Sequence, residues 1–226
     1  MNARAAAAAA KLVALLDDAA AAAALLEWSS ALARSLEREL ALVYVESTHS
    51  LLAAALPFTR VLAPRGGDWL PLSAGDVEQG FRAHVARLRQ MAERVALRDA
   101  LHWSLRTVRG SLPQAAIELG PEADLMLLAP PPAPGALPRA AAARCPRLVV
   151  VSGEAGPDAG LLALATRLAQ ALEGTVEVAR TVPGRPLFEQ PGLIASLRRC
   201  DLLMLARSAL DAATLVRLRC PVLLVG

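Results

Sequence analysis

The side chains in this sequence that could do chemistry are few and scattered. Two acids, Asp17 and Asp18, follow directly on the apolar run Leu12–Leu16. An acid at the carboxyl end of a buried strand can accept hydrogen bonds from a ligand in the crevice of an open α/β sheet. Equally, it can cap a following helix. As neighbours on an extended chain the two would point to opposite faces, which does not suit a shared acid–base site. His49, His84 and His102 fall on three separate segments, and none stands at metal-ligand spacing from another His or Cys. Cys145, Cys200 and Cys220 include no CxxC pair, which argues for a reduced, intracellular protein without a disulfide framework or zinc site. Cys145 and Cys220, each beside a strand, are expected to be small buried hydrophobes. Neither a G-x-S-x-G elbow nor a P-loop occurs, so hydrolase or NTPase chemistry lacks a nucleophile or a cradle. No enzymatic activity and no metal are expected.

Composition narrows the classes further. The 226 residues are 55% hydrophobic with a mean hydropathy of +0.40, yet only 3% aromatic, so the core is built from Leu, Val and Ala. That length suits one large domain or two small ones. The net charge is +3 and Lys11 is the only lysine. Basic residues do not cluster with interleaved aromatics, so nucleic acid is not an expected partner. No uncharged apolar stretch reaches the roughly 18–20 residues of a bilayer span. Residues 125–138 are uncharged, but five prolines break them, and no membrane partner is expected. Arg4 and the six alanines after it imitate a signal peptide, but Lys11 interrupts the run and Asp17-Asp18 follows. A bacterial, cytoplasmic protein is expected.

The elements that must position these residues alternate between strand and helix. Residues 11–16 read as a buried strand, 19–38 as an alanine-rich helix, and 40–45 as a second buried strand. Such a unit implies a parallel pair with a right-handed crossover. Residues 46–73, with Pro57, Pro64, Gly66-Gly67 and Pro71, read as a long connection and a candidate lid. Ser73 with Asp76 marks a helix start, and Phe81, Val85, Leu88, Ala92 and Val95 follow at helical spacing. The arginines of that helix lie mostly off the stripe and read as a solvated face. Further strands are expected at 101–108, 124–129 and 147–151, with a short helix from Gly110-Ser111-Leu112-Pro113 to Leu119, and a turn or two of helix is expected over Arg139–Arg144. The remainder reads as helix (159–173), strand (175–180), helix (190–199), strand (201–206), helix (209–217) and strand (222–225). Continuous apolar strands alternating with helices indicate a parallel sheet covered on both faces.

The chain also repeats itself. An offset of 136 residues carries Leu12-Val13-Ala14-Leu15-Leu16 onto Leu148-Val149-Val150-Val151-Ser152, and Leu32–Glu37 onto Leu168–Glu173. An offset of 77 carries Asp124-Leu125-Met126-Leu127-Leu128-Ala129 onto Asp201-Leu202-Leu203-Met204-Leu205-Ala206. The second copy is therefore shorter by the difference, 59 residues. Arg144-Cys145-Pro146 and Arg219-Cys220-Pro221 close each copy before an apolar run. Two units are expected, at 1–146 and 147–226, and the strand at 147–151 must serve both or leave one of them a strand short. A repeat this long fits duplicated α/β units, not a solenoid.

In this order and spacing the segments resemble the universal stress protein family, in a tandem arrangement that spans nearly the whole chain. The likeness rests on several segments: Leu12–Leu16 ending in Asp17, Tyr44-Val45-Glu46 closing the second strand, and Gly110-Ser111-Leu112-Pro113 before Ala116-Ile117. It rests also on Asp124–Leu128 and on the two Cys-Pro strands, Cys145–Val150 and Cys220–Val225. The resemblance implies a flavodoxin-like fold, akin to the adenine nucleotide alpha hydrolases, with parallel sheets and helices on both faces. ATP-binding members of the family carry a G-x2-G-x9-G-[ST] segment after the fourth strand. Here that place holds Ala129-Pro130-Pro131-Pro132-Ala133-Pro134-Gly135 in the first copy and Ala206-Arg207-Ser208-Ala209-Leu210-Asp211 in the second. Prolines supply no N–H to a phosphate, and Gly135 alone does not rebuild the cradle. The family's first-strand acid maps to Asp17, and its counterpart in the second copy is Gly153.

Two functions follow as expectations. In the first, the protein is a stress-response or regulatory binding module that does not hold ATP through the usual glycine loop. Its two copies form an internal pseudo-dimer across the closing strands 147–151 and 222–225, with a protein partner or self-association beyond it. In the second it is a sensor for an adenine nucleotide (ATP, ADP or AMP) or another small ligand. The cleft would then lie at the carboxyl ends of the first and fourth strands, lined by Asp17, Val45, Gly110 and the segment containing Gly135.

Overall fold

The computed structural model describes residues 11–62, 67–129, 145–153, 156–182, 186–197, 200–209, 217 and 220–226. The expectations for residues 1–10, for the proline run with Gly135, for Arg139–Arg144 and for most of the 209–217 helix lie outside these residues. Along the chain come β1 (Lys11–Leu16), α1 (Ala22–Leu36), β2 (Glu39–Ser47), α2 (Thr48–Ala54) and the short strands β3 (Arg60–Leu62) and β4 (Trp69–Pro71). Then follow α3 (Ala74–Asp99), β5 (Trp103–Gly110), α4 (Leu112–Leu119), β6 (Leu125–Ala129) and β7 (Arg147–Ser152). The chain continues through α5 (Ala159–Ala171), β8 (Thr175–Arg180), α6 (Pro191–Leu197), β9 (Leu202–Ala206) and β10 (Val222–Val225).

Local sequence accounts for the helix limits. The Ser73 hydroxyl accepts from the Asp76 N–H while the Asp76 carboxylate accepts from the Ser73 N–H, a reciprocal cap that starts α3. Ser111 caps α4 and Asp158 caps α5 through the N–H groups of Gln114 and Leu161. α1 and α3 end at Glu37 and Ala100, both left-handed at φ 52°. After α5 the chain turns at Gly174, where a Cβ would lie 2.5 Å from the Pro146 carbonyl oxygen, so only glycine fits.

Eight strands form one sheet in the order β5-β2-β1-β6-β10-β9-β7-β8. Every neighbouring pair is parallel except β6 with β10. The architecture is thus α/β, a mostly parallel sheet covered on both faces, as the alternation of strands and helices implies. One face buries α1, α3 and α5 through Leu25, Leu26, Phe81, Leu88, Leu161 and Leu168. The other buries α4 and α6 through Leu112, Ala116 and Leu193. Full burial of a Leu or Val side chain contributes about 1.5–3 kcal/mol, and β1, β6 and β9 are almost wholly buried along their length.

The matched sequence segments occupy matching places. β2-β1-β6 in the first half and β8-β7-β9 in the second are both parallel triplets with the first strand of each half in the middle. The expected pairing of strands 147–151 and 222–225 does not occur. β7 is consumed as the central strand of the second triplet. β10 instead pairs antiparallel with β6, Val222 opposite Leu128 and Val225 opposite Leu125, and parallel with β9. The first half is therefore the one left a strand short, and β10 closes both. Residues 46–73 are likewise not one long loop. They carry α2 and the β3–β4 hairpin, with Val61 opposite Leu70. The Ser47 hydroxyl, which accepts from Ser50 N–H, starts α2, which ends before Pro57.

Candidate functional site

Parallel strands deliver their following residues to one edge of the sheet, and at this edge β1, β2 and β5 end side by side. β1 lies between β2 and β6, so the chain leaves it at the point where strand order changes direction, the usual place for a ligand crevice in open α/β sheets. Asp17 stands there. Its Oδ1 is buried and has no hydrogen-bond partner. Burial holds its carboxyl above the usual carboxylate range, the Asp18 charge pushes it further up, and a hydrogen bond from its own backbone N–H opposes them. The capping role belongs to Asp18, whose Oδ1 accepts from the Ala20 N–H at 2.8 Å. Asp17 is left free of that duty.

Beside Asp17 the hydroxyl of Tyr44 meets His84 Nδ1 at 3.0 Å. Tyr44 is 1% exposed and packs edge-on against Phe81, ring centroids 6.2 Å apart. Its phenol is pushed up to about 12, first by burial and then by the negative charges of Asp17, Asp18 and Glu46. It therefore stays protonated at neutral pH and donates to Nδ1 when His84 carries its proton on Nε2. Next to β2, Arg109 at the end of β5 donates to Glu46 at 3.0 Å and to Glu78 of α3 at 3.4 Å. Among the described residues this rim holds four acids, Asp17, Asp18, Glu46 and Glu78, against the one guanidinium of Arg109. Its field favours a neutral or cationic group over a phosphate.

The residues expected at the site fare differently. Gly110 is buried at the end of β5 with φ +152°, a conformation that favours glycine. It follows directly on Arg109 of the rim. Val45 is fully buried in the core beneath α4 and presents no surface. Gly135 lies outside the described residues. Cys145 is exposed in a left-handed turn at φ 66°, because Pro146 and the strand begin only after it, so the expected burial applies to Cys220 and not to Cys145. Cys200 and Cys220 are buried together, and the contact with Cys220, then burial, holds the Cys200 thiol far above its ordinary range. A thiol so held is a poor nucleophile. The pair of Tyr44 and His84 was not legible as a site. The available signal was His84 three residues after Phe81, on the same apolar stripe of α3, where a polar side chain needs a partner.

Among the described residues the second half offers no equivalent. Gly153 stands where Asp17 would be, and β9 runs into a 3-10 turn, Arg207–Ala209, without a glycine. The Arg207 guanidinium turns away and donates to Gly120 O at 2.6 Å and to Ala123 O, closing the end of α4 in the first half.

No family model and no curated protein matches the chain. Among solved structures, a universal stress protein from Archaeoglobus fulgidus is similar at 10% identity and a TM-score of 0.40, covering 95% of each chain. No described helix is long and apolar enough to cross a membrane, and no described group of three or more His, Cys, Asp or Glu could hold a metal ion.

Proposed function

We propose that the chain is a non-catalytic binding module of the universal stress type, probed by a small ligand at Asp17 and not by a polyphosphate. The observation that carries this is the buried, unpartnered Asp17 Oδ1 at the carboxyl end of β1. A buried acceptor without a donor costs about 1–3 kcal/mol, and a ligand N–H or O–H would recover that cost. The acidic rim and the commitment of Arg207 elsewhere support a nucleoside-like or cationic group over phosphate. So does the proline run, whose sequence lacks the backbone donors of a phosphate loop. Among the described residues no group near Asp17 is both nucleophilic and activated, which supports binding without turnover. A stress-response or regulatory role, with a protein partner reading the bound state, accords with the family resemblance of the sequence.

Calorimetric titration tests the site, with adenosine, AMP, ADP and ATP as probes, each with and without magnesium. The expected order places adenosine at least level with ATP, and Asp17→Asn weakens adenosine about tenfold, since the amide keeps an acceptor but loses the charge that strengthens the hydrogen bond. ATP binding tighter than adenosine and indifferent to Asp17→Asn would refute it.

A further inference from the structure

The segment from α2 to β4 carries an unusual load of exposed apolar side chains. Leu52, Leu56, Phe58, Leu62, Trp69 and Leu70 are between 50% and 87% exposed. All six residues of the β3–β4 hairpin face solvent. A two-stranded ribbon is marginal in water without further packing, and an apolar patch beyond a few hundred Å² on a soluble protein marks an interaction surface. Half-exposed side chains of this size and number offer several hundred Å², on the scale of the roughly 800 Å² per partner buried in a standard interface.

The hairpin's charges indicate what covers it. Arg60 sits at its base, paired across the ribbon with Pro71, and Asp68 sits at its tip, one residue before Trp69. Both are exposed. Two hairpins laid side by side about a two-fold axis perpendicular to the ribbon run antiparallel and bring the base of each against the tip of the other. Arg60 of one copy then faces Asp68 of its partner, twice over, while Phe58 at the base of each copy closes on Trp69 near the tip of the other. An anionic lipid surface would instead ask for a cluster of cations, and the described hairpin residues carry one charge of each sign. From this geometry we infer that the α2–β4 face is a two-fold interface between copies of this chain. Such a contact is isologous and closes on itself as a dimer.

Sedimentation of the full-length protein across a concentration series tests this. The expected result is a dimer in the micromolar range. Phe58→Ser with Trp69→Ser, both exposed and outside the sheet core, should raise the dissociation constant about a hundredfold or more, the effect of removing aromatic anchors from an interface. Arg60→Asp and Asp68→Arg should each weaken the dimer, and the two together should restore it. A wild-type protein still monomeric at about a hundred micromolar would overturn the inference, and pelleting of that monomer with anionic vesicles would give the face to a lipid surface instead. A dimer indifferent to Phe58 and Trp69 would overturn it as well. Failure of the charge exchange to recover the dimer would overturn the antiparallel arrangement.

Discussion

Arg207→Met should cost the fold about 2–3 kcal/mol. The wild-type guanidinium is part-buried and donates to Gly120 O and Ala123 O, which lie more than eighty residues earlier in the chain. Hydrogen bonds from a charged donor contribute about 1.5–3 kcal/mol each when removed. Two effects reduce the sum. Gly120 O keeps a second donor, the Ala123 N–H at 3.2 Å, so only Ala123 O is left bare. The wild-type side chain also buries its Nε without a partner, a cost that Met does not incur. Met preserves most of the packing of the stem. For a chain of this size each kcal/mol moves Tm by about 2–4 °C, giving a fall of about 4–12 °C. Urea unfolding should show a lower midpoint with an unchanged slope. Amide exchange should quicken at residues 120–126 in the first half, although the substitution lies in the second. A loss below about 0.5 kcal/mol, within the range of an ordinary surface change, would refute the idea that this side chain splices the halves. So would an exchange effect confined to residues around 207.

Two further outcomes follow from the same physical terms. Asp17→Asn should stabilise the ligand-free protein at neutral pH by about 1 kcal/mol, because the neutral amide keeps the polar atoms but not the charge whose burial is unfavourable. Because the folded carboxyl holds its proton above the unfolded value, its contribution is full in acid and is lost as pH rises through the folded value. The mutant's advantage should therefore shrink toward acid pH, and urea midpoints at several pH values would show it. Gly174→Ala should lower stability by about 1–3 kcal/mol, since its Cβ would meet the Pro146 carbonyl at 2.5 Å; thermal denaturation measures it.

The fold was legible where local chemistry is strong. Ser73 with Asp76, the alanines of α1 and the Leu/Val strands each announce their element without help from distant residues. The strand partners were not so announced. β7 and β10 are both short, apolar and preceded by Cys-Pro, and nothing local distinguishes a central strand from a closing one. The difference lies in the 59 missing residues, which leave the second half without a counterpart of β5 and α3. The α2–β4 segment was misread because Pro57, Pro64 and Pro71 signal interruption, whereas they bound short elements and do not abolish them. At the site, Asp17 was legible from its place after β1. Val45 was not separable from it, since an inward and an outward residue at a strand end look alike when both faces are apolar. Tyr44 and His84 meet across 40 residues, a contact that no local pattern contains.

The shared closing strand also sets an order of events during synthesis. When Ala129 has been made, the first half holds β5, β2, β1 and β6, and the outer edge of β6 has no partner. That partner, β10, comes only after residues 130–221 have been added. At about 5–20 residues per second this takes about 5–20 s. Throughout that interval Leu125–Ala129, wholly apolar, presents a ladder of unmet backbone groups to any strand nearby. β7 emerges first, and in parallel register it is the natural wrong occupant. The chain must hold that edge vacant, or release β7 from it, before the native sheet can close.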